Sequence, residues 1–531
     1  MPAIPRRILW IDDEVELFEP HLLFLRQRGY EVDTTTNGDD ALELARTQSY
    51  DLVLLDEQMP GRRGLDVLGE LRREEPHARV VMVTKSEEDR TMVEAIGRRV
   101  DDYLVKPASP RQVLSVVTRL LEGQQIRQQR AAQDFAARFG QLSRMRAEAE
   151  SWEHYFAVYD ELVDWDLRLN QAGEQGLADT VQSLLGELRR DFGDHVASTY
   201  GGWLSLAGAG PSASGTTSRP PLSIDVVSRA VLPNLEQGRP LLFVIIDCMR
   251  LDQWRTIRPL LGRDFDIEES LYSSILPTAT PYSRNAIFSG QFPDEIAAAR
   301  PEWWEIEEGS LNAFEDELLR EQLHRLTGRD VPVHYEKVFT EADGDDLVAR
   351  VRGALRGEGV VAVVFNFVDM LTHGRSESAI LMEVARDVEA LRSLTKQWFE
   401  RSSAARVLQE AAAARATTVL TTDHGSIHCH RPVTVFARRD ATANLRYKFG
   451  QDLRAEERDA VYSVNDEKAL RFPPGRLATN YLFALEDHFF VYPTKLREYQ
   501  ARYRGSFLHG GISPEEMVLP LAVLTPRTGQ R

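Results

Sequence analysis

Acidic and basic side chains stand at the ends of short apolar runs in the first part of the chain. Asp12 and Asp13 follow the run RILWI, Asp56 follows DLVLL, and Lys106 ends DYLVK. Three carboxylates in one crevice repel each other, and a hard divalent cation such as Mg²⁺ relieves that repulsion. Such a cation would also neutralise an incoming phosphoryl group while Asp56 attacks it as the nucleophile. Thr84 can hydrogen-bond the new phosphoryl oxygens, and Lys106 supplies a fixed positive charge.

A second and larger set of metal-binding residue types lies in the second half of the chain. Its members are aspartates, histidines and threonines: Asp247, Thr278, Thr280, Asp369, His373, Asp423, His424 and His509. Mixed imidazole and carboxylate ligands favour two divalent transition-metal ions, zinc or manganese, over Ca²⁺ or Mg²⁺ alone. Two such ions about 4 Å apart clamp the attacking and leaving oxygens of an in-line displacement at phosphorus. This set therefore predicts metal-assisted phosphoester chemistry.

The first set must be positioned by strands. Residues 1–122 alternate β-rich runs with amphipathic helical patterns. The predicted strands are RILWI (7–11), YEVDTTT (30–36), DLVLL (51–55), RVVMVT (79–84) and DYLVK (102–106). Five strands that alternate with helices predict a parallel sheet wound on both faces. Ligands collect where the winding of such a sheet reverses, so Asp12, Asp13 and Asp56 are expected to converge.

Strand signals vanish in the middle of the chain and return after a tract rich in Gly, Ser and Pro. The middle segment carries helical patterns without proline, which predicts a helical bundle that connects two domains. Gly-, Ser- and Pro-rich tracts are typical of flexible linkers. The predicted organisation is a first α/β domain at 1–122, a helical connector at 123–208, a linker at 209–221 and a large α/β domain at 222–531.

Composition excludes several classes of protein. Lys plus Arg number 64 and Asp plus Glu 82, which gives a net charge of −18. A duplex DNA-binding domain is not expected, because phosphate neutralisation needs a basic face. The cysteines Cys248 and Cys429 are too few for a disulfide framework and fit a reducing compartment. Apolar runs are strand-sized, so we expect a cytoplasmic protein without membrane insertion.

Residues 1–122 resemble response-regulator receiver domains. The matching motifs are IDDE at 11–14, LLDEQMPGRRG at 54–64, VTK at 83–85 and YLVKP at 103–107. The resemblance implies a flavodoxin-like fold, Asp56 as phospho-acceptor, a cis bond before Pro107 and a cognate sensor histidine kinase. The implied site residues are Asp12, Asp13, Asp56 and the Gln58 carbonyl for Mg²⁺, with Thr84, Tyr103 and Lys106 as the switch.

Residues 222–531 resemble the alkaline phosphatase superfamily, in particular its PglZ branch. The resemblance lies in IDCMRLDQW (246–254), in PTATPYSRNAIFSG (277–290), and in the order Asp, hydroxyl, Asp-x-x-x-His, Asp-His, His. It implies an alkaline-phosphatase-like α/β domain with two zinc sites. The implied ligands are Asp247, Thr280, Asp423 and His424 at the first site, and Asp369, His373 and His509 at the second.

Spacing alone leaves both Thr278 and Thr280 open as the nucleophile. The nucleotide-diesterase motif of the superfamily places its threonine ten residues before the glycine that here is Gly290, which favours Thr280. Pro281 supports this choice, because proline is favoured in the first turn of a helix. Thr280 is therefore predicted at the N-cap, where its oxygen faces free backbone N–H groups.

These features together predict a two-component response regulator whose phosphorylated receiver controls a dinuclear-metal phosphoesterase. Threonine nucleophiles in this superfamily favour a phosphodiesterase that acts on nucleotides or oligonucleotides. Basic residues that could contact a second ester arm are Arg284, Arg446, Lys448 and Lys495. The whole chain is similar to response regulators linked to type IX secretion, and phosphorylation is expected to produce a homodimer. The alternative is a non-catalytic, metal-stabilised module that binds a sigma factor or secretion component on phosphorylation.

Overall fold

The computed structural model describes most of the chain in two compact units. The described residues are 6–74, 78–84, 100–207, 219–235, 238–304, 312–339, 344–375, 383–437, 442, 444–466, 468–473 and 480–527. The first unit is Met1–Ala137 with Leu169–Glu174, and the second is Arg138–Arg168 with Gln175–Arg531. Over these described ranges, no helix is long and apolar enough to cross a bilayer.

Helices and strands alternate along both units. The helices are α1 (Glu19–Arg26), α2 (Gly38–Thr47), α3 (Gly64–Glu74), α4 (Pro110–Leu121), α5 (Gly123–Ala147), α6 (Trp152–Ala172), α7 (Gln175–Leu206), α8 (Leu251–Leu261), α9 (Thr280–Ser289), α10 (Pro293–Ala299), α11 (Pro301–Trp304), α12 (Glu315–Thr327), α13 (Gly344–Ala354), α14 (Phe367–Arg375), α15 (Val388–Arg401), α16 (Ser403–Ala414), α17 (Leu496–Tyr503) and α18 (Pro514–Met517). The strands are β1 (Arg7–Ile11), β2 (Glu31–Thr35), β3 (Leu52–Asp56), β4 (Arg79–Thr84), β5 (Asp102–Val105), β6 (Pro240–Ile246), β7 (Phe265–Ser273), β8 (Val333–Val338), β9 (Gly359–Phe365), β10 (Thr417–Thr421), β11 (Ile427–His428), β12 (Arg431–Phe436), β13 (Tyr447–Gly450), β14 (Arg454–Ala455), β15 (Val461–Val464), β16 (Asn480–Ala484), β17 (His488–Val491), β18 (Phe507–Leu508) and β19 (Val518–Pro526).

The first unit contains a five-stranded sheet in the order β2-β1-β3-β4-β5. Every neighbouring pair in it is parallel. Successive side chains of a strand point to opposite faces. In β1, Ile8 and Trp10 accordingly enter one buried cluster, while Leu9 and Ile11 enter another. Both faces are covered, as in doubly wound sheets, and the predicted flavodoxin-like fold is confirmed.

Three helices follow α4, the last helix of the receiver, which agrees with the predicted helical segment. They are α5, α6 and α7. Apolar residues recur along α7 at helical spacing, and the buried ones include Val181, Leu188, Phe192 and Trp203. Such a stripe faces a core. The predicted linker at 209–221 lies mostly outside the described residues.

The second unit is built on a six-stranded sheet in the order β7-β19-β10-β6-β9-β8. The strands β10, β6, β9 and β8 run parallel to one another, whereas β19 runs antiparallel to β10 and β7. The runs in β6 and β9 are almost wholly buried. Because β10, β6 and β9 are adjacent and parallel, their carboxyl ends meet at one edge of the sheet. Smaller sheets, β11-β18, β14-β12-β17 and β13-β16-β15, complete the unit.

Candidate metal centres

An acidic crevice lies at the carboxyl ends of β1 and β3 in the receiver. The side chains of Asp12 and Asp56 are buried. Lys106 Nζ lies 2.8 Å from Asp12 Oδ2 and 2.8 Å from Asp56 Oδ2. One carboxylate oxygen from each of Asp12, Asp13 and Asp56 lies within 4.8 Å of the others. The three predicted carboxylates therefore converge around a single ammonium group.

The charges in this crevice are incompletely balanced. Burial, together with the neighbouring Asp12 carboxylate, raises the pKa of Asp56, although Lys106 opposes the rise. Burial alone would lower the pKa of Lys106, but its bonds to Asp12 and Asp56 raise this pKa by more, so that it lies above its ordinary value. Asp13 Oδ1 is buried and has no hydrogen-bond partner within the described part of the chain. Carboxylate oxygens with unused acceptor capacity fit a hard divalent cation.

The structure places the remaining predicted receiver residues as follows. The backbone N–H of Gln58 donates to Asp56 Oδ1 at 3.4 Å. Tyr103 is partly buried against the cluster that contains Met82. Thr84 ends β4, but its side chain lies outside the described residues. The bond between Lys106 and Pro107 is cis.

Asp247, Asp423 and His424 form a buried cluster in the second unit. Asp247 follows β6, and the other two follow the adjacent strand β10. His424 Nε2 lies 3.7 Å from Asp247 Oδ1 and 3.8 Å from Asp423 Oδ2. Thr280 Oγ1 joins them, at 3.0 Å from His424 Nε2 and 3.4 Å from Asp247 Oδ1. The first predicted ligand set is thus brought together at one sheet edge.

The second cluster consists of Asp369, His373 and His509. The first two lie one turn apart on α14, and His509 follows β18. The Nε2 atoms of His373 and His509 lie 2.9 Å apart, and Asp369 Oδ1 lies 3.3 Å and 3.7 Å from them. The ring of His509 also stacks on His424, with 4.3 Å between centroids. The two clusters therefore adjoin each other.

The donor atoms of both clusters fit divalent cations. Asp423 Oδ2 is buried and lacks a hydrogen-bond partner among the residues that the structure describes. Burial, together with the charge of Asp423, raises the pKa of Asp247 well above its ordinary value. Burial and the neighbouring imidazoles lower the pKa of His509, which keeps this ring neutral. A neutral imidazole is the form that binds metals, and a cation would relieve the repulsion between the carboxylates.

The two threonines occupy different environments. Thr278 is fully buried, and its hydroxyl donates to the Gly511 carbonyl at 3.0 Å and accepts from the Gly510 N–H at 3.0 Å. Thr280 is the first residue of α9, and Ala279 is the N-cap. The prediction that Thr280 is the N-cap is therefore wrong by one residue. Proline is accepted at both of the first two helical positions, so Pro281 did not fix the register.

Sequence reasoning missed the residues that hold Asp247. The buried guanidinium of Arg284 donates to Asp247 Oδ2 at 2.7 Å and to Glu315 Oε1 at 2.5 Å. Asn366 Nδ2 also donates to Asp247 Oδ2, at 3.0 Å. Arg284 thus bonds two carboxylates, and the structure does not assign it to an ester arm. Its position one turn after Thr280 on α9 was the available signal.

Other basic residues that could have read a substrate are also engaged within the fold. Arg446 is buried and pairs with Glu516 at 2.5 Å. Lys448 Nζ donates to the Thr442 carbonyl at 2.8 Å, and burial lowers the pKa of Lys448 to about 8. The side chain of Lys495 lies outside the described residues. The structure therefore assigns neither Arg446 nor Lys448 to a substrate arm.

Asn312 is a further polar residue beside Thr280 that no motif indicated. Its Nδ2 donates to the Thr280 carbonyl at 3.2 Å and to Asn285 Oδ1 at 3.1 Å. Lys337 Nζ in turn donates to the Asn312 carbonyl at 3.2 Å. These contacts hold the first turn of α9, and Lys337 links Asn312 to the carboxylate of Glu315 as well.

Three segments of the chain match known families. Residues 226–524 match the BREX system PglZ alkaline phosphatase-like domain. Residues 8–118 match the response regulator receiver domain, and residues 125–204 match the PorX response regulator linker domain. The first match spans more than half of the chain, which therefore belongs to the PglZ alkaline phosphatase-like family. With its receiver and linker, the chain has the domain set of PorX-like response regulators, as predicted.

Similar proteins include several transcriptional regulators. ResD of Bacillus subtilis is 36% identical over 115 residues, which are 22% of this chain and 48% of ResD. AlgB of Pseudomonas putida is 38% identical over 120 residues, which are 23% of this chain and 27% of AlgB. The chain thus spans about half or less of the length of these relatives. The solved structure of the response regulator TrrA of Thermotoga maritima, in complex with Mg²⁺ and BeF, is 36% identical and covers 22% of this chain and 99% of its own, with a TM-score of 0.21.

Replacement of Asp56 by Asn should abolish phosphorylation by acetyl phosphate in the presence of Mg²⁺. The reason is that the amide of asparagine cannot act as the nucleophile. The matched control is the same change at Asp66, an exposed aspartate on α3. Asp66→Asn should be labelled like the unaltered protein. Phosphorylation can be followed by the mass of the intact chain. Undiminished labelling of Asp56→Asn would remove Asp56 from the role of phospho-acceptor.

Replacement of His373 by Ala should lower the metal content from roughly two transition-metal ions per chain to roughly one, because each cluster offers few ligands to spare. Elemental analysis of the purified, zinc-loaded protein measures this directly. The control is His334→Ala, which removes a histidine that bonds Glu336 on β8. An unaltered protein that retains no metal after dialysis would contradict the dinuclear site.

Proposed function

We propose that this protein is a response regulator whose phosphorylated receiver controls a dinuclear-metal phosphoesterase with Thr280 as its nucleophile. The observation that carries the proposal is the position of the Thr280 hydroxyl, 3.0 Å from His424 Nε2 and 3.4 Å from Asp247 Oδ1. Thr280 also begins α9, and a helix N-terminus presents N–H groups and a positive dipole end to phosphate oxygens. The proposal therefore places three features at Thr280: an oxygen nucleophile, backbone N–H groups that can bind phosphate oxygens, and side chains that can bind metal ions.

In the proposed reaction, Thr280 Oγ1 forms a bond to phosphorus while the bond from phosphorus to the leaving oxygen breaks. Asp247 and His424 orient that hydroxyl, and the first turn of α9 holds the phosphoryl oxygens. Bound cations would lower the pKa of the hydroxyl and neutralise the charge that develops on the attacking and leaving oxygens. Water then cleaves the phosphothreonine ester and restores the hydroxyl. The sum of these steps is hydrolysis of the ester.

Asp247, Asp423 and His424 would hold one ion together with Thr280. Asp369, His373 and His509 would hold the second ion. The histidines favour zinc over magnesium, with manganese as the second choice. In the receiver, Mg²⁺ would bind Asp12, Asp13, Asp56 and the Gln58 carbonyl, because this site offers oxygen ligands alone.

The proposed substrate is a phosphodiester in a nucleotide or oligonucleotide. Threonine nucleophiles in the superfamily are associated with nucleotide diesterases, whereas serine is common in monoesterases. This support comes by analogy with the family rather than from contacts to a substrate. The receiver implies a sensor histidine kinase as partner, and the match to the PorX linker domain supports a link to type IX secretion.

Replacement of Thr280 by Ala should lower kcat for metal-dependent hydrolysis of bis-p-nitrophenyl phosphate by roughly 10³-fold or more, as for other nucleophiles that act as part of a unit. Metal content should largely persist, because the hydroxyl is a minor ligand. Thr280→Ser should retain most of the turnover. Thr278→Ala should act mainly on stability, by about 1–3 kcal/mol, because its buried hydrogen bonds are lost.

Two outcomes of these assays would change the proposal. Loss of turnover in Thr278→Ala but not in Thr280→Ala would exchange the roles of the two threonines. A metal-loaded, unaltered protein without turnover would favour the alternative, an interaction module that binds a sigma factor or secretion component.

Phosphorylation of Asp56 should shift the protein toward a dimer and change its esterase rate. Receivers commonly signal by remodelling the face that contains their fifth strand, and couplings of this kind usually amount to about 1–3 kcal/mol, or roughly 5- to 150-fold. Sedimentation and turnover with and without acetyl phosphate measure both effects, and Asp56→Asn is the control. Identical sedimentation and identical rates in the two states would contradict the coupling.

A further inference from the structure

The segment that leads to Thr280 is tied to helix α7. The hydroxyl oxygen of Tyr200 accepts a hydrogen bond from the backbone N–H of Leu276 at 2.8 Å. Both residues are 1% exposed, so water does not compete for this bond. Leu276 lies four residues before Thr280 in the chain. A residue of the helical segment therefore holds the backbone just ahead of the candidate nucleophile.

Other bonds fix the same segment to the site itself. Ser274 Oγ donates to the Asp423 carbonyl at 2.9 Å, and the Ile275 N–H donates to Ser223 Oγ at 3.1 Å. The Thr278 hydroxyl connects the segment to Gly510 and Gly511, as described above. The bond from Leu276 to Tyr200 therefore lies between two anchored stretches of backbone. Its loss would loosen the part of the segment that sets the entry into α9.

Helix α7 makes a second contact with the same region. Arg189 on this helix bonds the buried carboxylate of Glu515 at 2.7 Å. The next residue, Glu516, accepts the Gly511 N–H at 2.9 Å and lies 3.5 Å from Thr278 Oγ1. One helix thus supports both the segment that carries Thr280 and the loop that carries His509. Helix α7 therefore contacts two of the segments that build the candidate site.

We infer that Tyr200 is a positioning residue for the Thr280 hydroxyl, and that α7 therefore belongs to the catalytic machinery in addition to connecting domains. This inference rests on the proposed role of Thr280. A nucleophile must be held in a near-attack position, and a displacement of about 1 Å can lower a rate by about 10²-fold. Removal of the Tyr200 hydroxyl leaves the buried Leu276 N–H without its acceptor, so the segment must shift to satisfy it.

Replacement of Tyr200 by Phe removes the hydroxyl and keeps the ring in the core. It should lower kcat for bis-p-nitrophenyl phosphate by roughly 10- to 100-fold, with KM and metal content changed by less than about threefold. The matched control is Tyr159→Phe on the neighbouring helix α6. Tyr159 is also buried, but its hydroxyl has no hydrogen-bond partner within the described ranges. Its removal should leave kcat unchanged.

A double-mutant cycle separates positioning from a general loss of structure. In the Thr280→Ala background there is no nucleophile to misplace, so Tyr200→Phe should leave the residual metal-dependent rate unchanged. An equal loss in both backgrounds would show that Tyr200 only stabilises the domain. That result would overturn the inference while leaving Thr280 as the nucleophile.

Amide hydrogen exchange tests the contact without any activity. Tyr200→Phe should raise exchange in peptides that span residues 274–280 by about tenfold or more, whereas Tyr159→Phe should not, because local opening follows the loss of local bonds. In the unaltered protein, the Leu276 amide should exchange far more slowly than an exposed amide. Fast exchange there, or unchanged exchange in Tyr200→Phe, would overturn the inference. If the unaltered protein has no phosphoesterase activity but Tyr200→Phe still raises exchange, the result supports the Tyr200–Leu276 contact and overturns only the proposed phosphoesterase function.

Discussion

Buried negative charge is the constraint on which the second unit depends. Asp247 and Asp423 are brought together out of water by adjacent parallel strands, and burial, followed by the repulsion of Asp423, raises the pKa of Asp247. The buried guanidinium of Arg284 donates hydrogen bonds to Asp247 and also to the carboxylate of Glu315. Lys337 adds a second positive charge beside Glu315, at 3.1 Å. The internal cations thus face an excess of carboxylates, and that excess is what bound metal ions would neutralise.

The receiver solves the same electrostatic problem with different ligands. Its crevice gathers Asp12, Asp13 and Asp56 around Lys106, which leaves more negative than positive charge. Imidazoles are absent from this set, so the ligands are hard oxygens and suit Mg²⁺. The second unit adds histidines to its carboxylates, which suits transition-metal ions. The candidate sites of the two units therefore differ in their donor atoms, with carboxylate oxygens in the first and both carboxylate oxygens and imidazole nitrogens in the second.

Much of the fold and of the site could be predicted because it is encoded locally. Buried parallel strands such as β1 and β3 give continuous apolar runs, and Asp12 and Asp56 stand at their ends. The antiparallel direction of β19 could not be predicted, since a strand's orientation depends on its neighbours and not on its own residues. The position of Arg284 one turn after Thr280 indicated that it lies near the site, but the sequence did not show that its partner is Asp247, which lies in a distant segment. The start of α9 differed by one residue because capping preferences overlap at adjacent positions.

The helical segment was predicted as a connector between domains. Its contacts within the second unit show that it is also part of the packing of that unit. Asp166 on α6 pairs with Arg392, whose Nε bonds Asp252 Oδ2 at 2.6 Å. Burial alone would raise the pKa of Asp252, but the guanidinium groups of Arg250 and Arg392 hold it below its usual range. Breaking one partner of such a buried network leaves an uncompensated charge, which typically costs about 3–5 kcal/mol. These ion pairs tie the part of α6 that lies in the second unit to α15 and α8. Because Arg189 on α7 and Asp166 on α6 both bond residues of the second unit, this part of the helical segment is packed within the unit that carries the candidate metal ligands and is not a free linker.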